Sequence, residues 1–126
     1  MTSIESHQVA IRHGDRLEAP PVASSAGVLV NLYVSANYVI VDVGLPRCRA
    51  ETIRVSITAD KVLVESSRHL AELSVGGGRT YLLHELPQGR IARLIQLPDV
   101  ALDHGRAEAH FANGMLVVSI PMASPD

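Results

Sequence analysis

What most limits the folds open to this chain is a period of two. From Thr52 to Thr58, Ile53, Val55 and Ile57 alternate with Arg54, Ser56 and Thr58, the pattern of a strand with one apolar and one solvated face. The same short β-branched grammar recurs in the runs Val28–Val34, Tyr38–Leu45, Val62–Glu65, Leu70–Val75, Tyr81–Leu86, Arg90–Leu97, Arg106–Ala112 and Met115–Ile120. Turn residues separate them. Ser35-Ala36-Asn37 is a hairpin candidate, Ala59-Asp60-Lys61 turns into Val62, Pro87-Gln88-Gly89 breaks the chain, and Asn113-Gly114 is a two-residue hairpin turn whose residues both tolerate positive φ. No run carries helical spacing. The pattern predicts an all-β fold, an antiparallel β-sandwich of roughly seven to nine strands with no helix beyond about three turns.

Composition narrows the function. The chain has 126 residues, one domain's worth. Valine, leucine and isoleucine supply enough apolar mass for a core, while three tyrosines, one phenylalanine and no tryptophan make that core aliphatic. So few aromatics rule against a stacking platform for single strands, and 13 acidic against 11 basic residues leave no basic face for a phosphate backbone. A nucleic-acid partner is therefore not expected. The longest uncharged stretch, Ala19–Val41, contains Pro20, Pro21, Gly27, Asn31 and Asn37 and does not read as a membrane span. No apolar leader is visible near the N-terminus, and the lone Cys48 excludes an internal disulfide. A cytoplasmic location is the expectation.

The chain divides into a polar N-terminal arm (1–27), a β domain (28–122) and a short tail (123–126). Catalytic constellations are missing. His7, His13, His69, His84, His104 and His110 form no zinc-type pair, and His84-Glu85 lacks the second histidine of a helical H-E-x-x-H. Gly76-Gly77-Gly78-Arg79-Thr80 has no phosphate-loop lysine, and no serine sits in a G-x-S-x-G elbow. Cys48, between Arg47 and Arg49, has no histidine at an informative spacing and reads as a small, half-buried apolar side chain. Neither enzyme nor metal or cofactor binder is expected.

Three motifs, in order, carry a resemblance. Glu85-Leu86-Pro87-Gln88-Gly89-Arg90-Ile91-Ala92-Arg93 runs on to Leu97-Pro98. Ala109-His110-Phe111-Ala112-Asn113-Gly114-Met115-Leu116 leads to Ile120-Pro121, and Leu45-Pro46 precedes Glu51-Thr52-Ile53-Arg54-Val55. These resemble the signatures E-R-x-x-G-x-F-x-R-x-x-x-L-P, A-x-x-x-n-G-V-L and L-P-G-V-x-x-E-D-I-x-V of the small heat-shock protein family. The likeness spans about residues 28–122, the whole α-crystallin domain, an immunoglobulin-like sandwich. Ile91 and Met115 replace apolar residues by others, which conserves burial. Arg47 stands where glycine is usual, implying a turn that does not need positive φ. The short tail lacks the family's I-x-I/V anchor, which puts a large oligomer in question.

The resemblance implies an ATP-independent holdase that binds partly unfolded clients and delays their aggregation. The expected partners are a second copy of the chain, in a homodimer or a higher oligomer, and unfolded client proteins. By analogy a client groove lies between the strand at 52–58 (Ile53, Val55, Ile57) and the strand at 106–112 (Ala107, Ala109, Phe111). Alternation alone serves equally to bury Val55 and Ile57 in the sandwich core. A strand within 66–89, at Tyr81-Leu82-Leu83-His84-Glu85 or else Leu70–Val75, is the expected element exchanged between protomers, a mobile surface loop being the alternative. Arg93, among Ile91, Ile95 and Leu97, is expected to be structural and interfacial, or else merely solvated. Val9-Ala10-Ile11 repeats the spacing of the missing anchor, so Val9 and Ile11 are expected to enter the groove; otherwise the arm is a disordered leader. A non-chaperone interaction or assembly module of the same fold, co-chaperone-like or gas-vesicle-associated, is the second reading.

Overall fold

The computed structural model describes residues 6–14, 16, 25, 27–68, 80–86 and 88–123. Nine strands form two sheets: β1 (His7–Val9), β2 (Ile11–His13), β3 (Val30–Ser35), β4 (Tyr38–Gly44), β5 (Arg54–Ile57), β6 (Lys61–Arg68), β7 (Gly89–Gln96), β8 (Glu108–Ala112) and β9 (Met115–Pro121). One sheet runs β1-β8-β9-β4-β3 and the other β2-β5-β6-β7. Among the described residues, helical structure is confined to single 3-10 turns at Ala50–Thr52 and His104–Arg106. All ladders between named strands are antiparallel except β2 on β5, which is parallel.

Alternation sets the layers. Val39, Val41 and Val43 of β4, Ala109 and Phe111 of β8, and Leu116, Val118 and Ile120 of β9 are buried, with more exposed residues between them. They face Val55, Ile57, Val62, Val64, Ile91 and Ile95 from the other sheet in one continuous cluster. β-branched side chains suit both the pleat and a thin interlayer. The Asn113-Gly114 turn closes β8 onto β9 with φ of 52° and 74°. Ala36 also takes a left-handed φ of 52° in the two-residue connection between β3 and β4.

Two motifs distant in sequence meet here. The Leu45 amide donates to the Gly114 carbonyl at 2.8 Å, which docks the Leu45–Cys48 turn onto the β8–β9 hairpin. That turn has Pro46 at its second position, Arg47 at its third with φ 66°, and the Cys48 amide donating to the Leu45 carbonyl at 3.3 Å. This is type II geometry, whose third residue is ordinarily glycine. The expectation drawn from Arg47 was therefore wrong: the turn keeps its left-handed residue although an arginine occupies it. The fully buried Arg68 holds the turn from behind, its Nε donating to the Pro46 carbonyl at 2.9 Å.

Other boundaries moved. The Thr52–Thr58 run gives a strand only from Arg54, because Ala50–Thr52 coil into the 3-10 turn and the Thr52 hydroxyl donates to the Arg49 carbonyl at 2.8 Å. Likewise β8 begins at Glu108, after the 3-10 turn at His104–Arg106. Tyr81–Leu86 forms no strand, and Leu70–Val75 lies outside the described residues. The arm, read as lacking regular structure, supplies β1 and β2.

A left-handed non-glycine residue costs roughly 1–2 kcal/mol, partly offset in a glycine variant by the greater entropy of its unfolded chain. Arg47→Gly should therefore raise stability by about 0.5–1 kcal/mol, a Tm gain of roughly 3 °C. Arg47→Ala, which keeps the Cβ, should give no such gain. Equal melting temperatures for the two variants would contradict the strain assignment.

Candidate functional site

A sandwich whose sheets are open has edges that need partners. On one side of this molecule the edges belong to β5 and β8, and the arm lies along both. Antiparallel on β8, β1 places His7 opposite Phe111, Gln8 opposite His110 and Val9 opposite Ala109. After Ala10 the chain passes to the other sheet, where β2 runs parallel to β5 with Ile11 opposite Val55, Arg12 opposite Ser56 and His13 opposite Ile57. The Gly14 amide extends this ladder by donating to the Ile57 carbonyl at 3.1 Å.

Side chains follow the backbone. Val9 is 8% exposed and belongs to the core cluster; Ile11 is partly buried and packs against it. Ala10 between them faces solvent, as do Gln8, Arg12 and His13. Residues two apart in an extended segment project to one side. The segment thus inserts two β-branched side chains between the sheets and shows water a polar outer face. Of the expected groove residues, Ile53, Val55, Ile57, Ala109 and Phe111 are buried in the interlayer and Ala107 is partly buried against it. All six thus belong to the core or pack on it, at the margin that the arm covers.

The opposite side has different chemistry. β3 and β7 are its edge strands. Along β3, Leu32 and Val34 are 41% and 55% exposed, and Leu29 just before it is 76% exposed. The Tyr33 hydroxyl donates to Asp42 Oδ1 at 3.5 Å, and desolvation together with that carboxylate holds the phenol neutral above its ordinary range. Tyr81–Leu86 is a strand of neither sheet, with Leu82 94% and Leu83 80% exposed and the Tyr81 and His84 rings stacked at 4.2 Å. Arg93 on β7 is half-buried, and its Nη1 donates to the Val28 carbonyl at 2.7 Å. That bond fastens the start of the domain to the second sheet. Arg68, which the sequence reading passed over, is the buried guanidinium; its signal was its place in the β6 series Val62, Val64, Ser66.

With this geometry stand the comparisons. The family model described as "Hsp20/alpha crystallin family" matches residues 33–126. The chain belongs to that family of small heat-shock chaperones. Heat shock protein 16.0 from Schizosaccharomyces pombe is similar at 26% identity, covering 79% of this chain and 89% of its own, with a TM-score of 0.67. HspA from Xanthomonas axonopodis shares 24% identity over 75% of this chain and 92% of its own, TM-score 0.63. A small heat-shock protein from Xylella fastidiosa, described as having a distinct high order structure, shares 20% over 82% and 92%, TM-score 0.66. Among curated proteins no sequence matches.

Hydrogen bonds made by a charged group are worth about 1.5–3 kcal/mol, so Arg93→Ala should destabilise the protein by roughly that amount in urea. Hydrogen exchange should rise first at Leu29 and Val30, which the bond tethers. Wild-type stability in Arg93→Ala would show that the contact with Val28 is incidental.

Proposed function

We propose that the protein is an ATP-independent holdase: it binds extended apolar segments of partly unfolded proteins at the β5/β8 margin and so delays their aggregation. The observation that carries this reading is the cleft itself, where the open edges of two sheets flank a strip of core and accept a V-x-I segment by strand pairing and side-chain insertion. Unfolding intermediates display such segments and unpaired strand edges. Binding of this kind needs no catalytic group, and among the described residues no group of histidine, cysteine or acidic side chains is disposed to hold a metal. Family membership supports the reading. The lone Cys48 suits a reducing cytoplasm, and no helix among the described residues is long and apolar enough to cross a membrane.

The unit that binds is, in this reading, a homodimer. Supporting it are β3, which is an edge strand among the described residues, and the exposed leucines of Tyr81–Leu86. If the Tyr81–Glu85 segment of each protomer adds to the partner's β3, both features are buried by one reciprocal exchange. Arg93 then acts at the root of the exchanged loop as well as within its own domain.

Two measurements decide. A thermally unfolding model client followed by light scattering should stay clear at equimolar chaperone and partly clear below it, without ATP; aggregation unchanged at every ratio would leave the interaction-module reading in its place. Deleting residues 70–86, which spares Arg68 and β6, should convert dimers to monomers by multi-angle light scattering, and an unchanged dimer would contradict strand exchange.

A further inference from the structure

The segment that the homodimer reading assigns to strand exchange has a shape that excludes a strand. We infer that the Tyr81–His84 ring stack is a latch: it keeps residues 81–85 out of strand form until a second copy takes them up, and so raises the concentration at which the protein assembles. The inference rests on the strand-exchange reading and adds a conformational step to it.

Three observations carry it. First, the two rings lie 4.2 Å apart between centroids and within 9° of parallel. In an extended strand, residues three positions apart are separated by about 10 Å and project to opposite faces. Stack and strand are therefore mutually exclusive. Second, composition does not explain the shape. Tyr81-Leu82-Leu83-His84-Glu85 has no glycine or proline to bar a strand, yet Tyr81–Leu86 is a strand of neither sheet. Third, the stacked form leaves its apolar residues in water: Leu82 and Leu83, between the rings, are 94% and 80% exposed. Such a form gives way to one that buries them. Apolar side chains to receive them lie on β3, where Leu32 and Val34 are exposed.

The latch acts through populations. A dimer made by reciprocal exchange opens two latches, one in each protomer. Its apparent dissociation constant therefore rises with the square of the factor by which the stack favours the closed form. One pair of exposed rings shifts an equilibrium by roughly three-fold, which squares to about ten-fold. Below the assembly threshold the segment is held in a form that is a poor template for pairing with other strand edges. Above it, the partner's β3 supplies the burial that opens the stack.

The test is the dissociation constant of the full-length dimer, measured by dilution in the analytical ultracentrifuge for Tyr81→Val, His84→Val and the double variant. Each single variant should tighten the dimer about ten-fold. The double variant should be no tighter than either single one, because the same stack is lost in all three. His84→Phe, which keeps a ring at the position, should dimerise like wild type. Effects that add in the double variant, or single variants that weaken the dimer, would show side chains acting independently or at the interface and would overturn the latch. A spectroscopic reading stands beside it. The His84 ring protons of dilute wild type should lie upfield of those in Tyr81→Val and lose that shift as the dimer forms. A shift that persists in the dimer, or is missing from both states, overturns the inference. The exchange reading is scored apart. If the protein without residues 70–86 is still a dimer, that reading fails and takes the latch with it. If the deletion abolishes the dimer while Tyr81→Val and His84→Val leave the dissociation constant unchanged, exchange stands and the latch alone fails.

Discussion

Two aliphatic faces, each the inner side of a twisted sheet, depend on one another for removal from water. Val39, Val41 and Val43 meet Val55, Ile57 and Val64 in a layer in which Phe111 is the one buried aromatic residue among those described. A layer of valines and isoleucines is thin and stiff at χ1, so it seals well in the middle and poorly at its margins. Whatever closes the margins therefore completes the core as well as decorating it. That constraint ties the arm, the Arg93 contact and the exposed β3 edge to a single problem.

The margins are solved by different means. At β5 and β8 the solution comes from the distant N-terminal arm: a strand-sized segment crosses from one sheet to the other and contributes Val9 to the core on the way. Toward the other side, Arg93 ties β7 to the Val28 carbonyl across the layers, yet Leu32 and Val34 on β3 remain exposed. One margin is covered by short ladders and the other leaves apolar side chains exposed, which suits the proposed reversible binding of extended chains. In the proposed reading, the two uses of strand edges, assembly and capture, fall on opposite sides of one sandwich.

Much of this was legible in sequence because period two is a direct statement about faces. The alternation in β4, β8 and β9 appears unaltered in their burial, and Asn113-Gly114 announced its turn through the φ values both residues tolerate. Less legible were features decided by tertiary context. Arg47 was read from its own preference, whereas the docking of Leu45 on Gly114 and the Arg68 bond to Pro46 hold the turn in type II form regardless. Residues around Thr52 alternate like a strand, but a local hydroxyl-to-carbonyl bond favours a 3-10 turn. Three-residue strands in the arm carry too few residues for a periodicity to register, so only the spacing of Val9 and Ile11 signalled them. Arg68 was hidden because a charged residue at the end of an apolar series ordinarily marks the end of burial, not its continuation.

The central claim is that extended segments of unfolded proteins bind at the β5/β8 margin, which the arm covers. Residue-resolved hydrogen exchange on the full-length protein, with and without a permanently unfolded client, tests it most directly. At rest the amides of residues 8–14 should be protected above those of an unstructured peptide. On adding client, exchange should change first at residues 8–14, β5 and β8. Exchange that changes only elsewhere, or an arm as fast as free peptide in both conditions, would contradict the account.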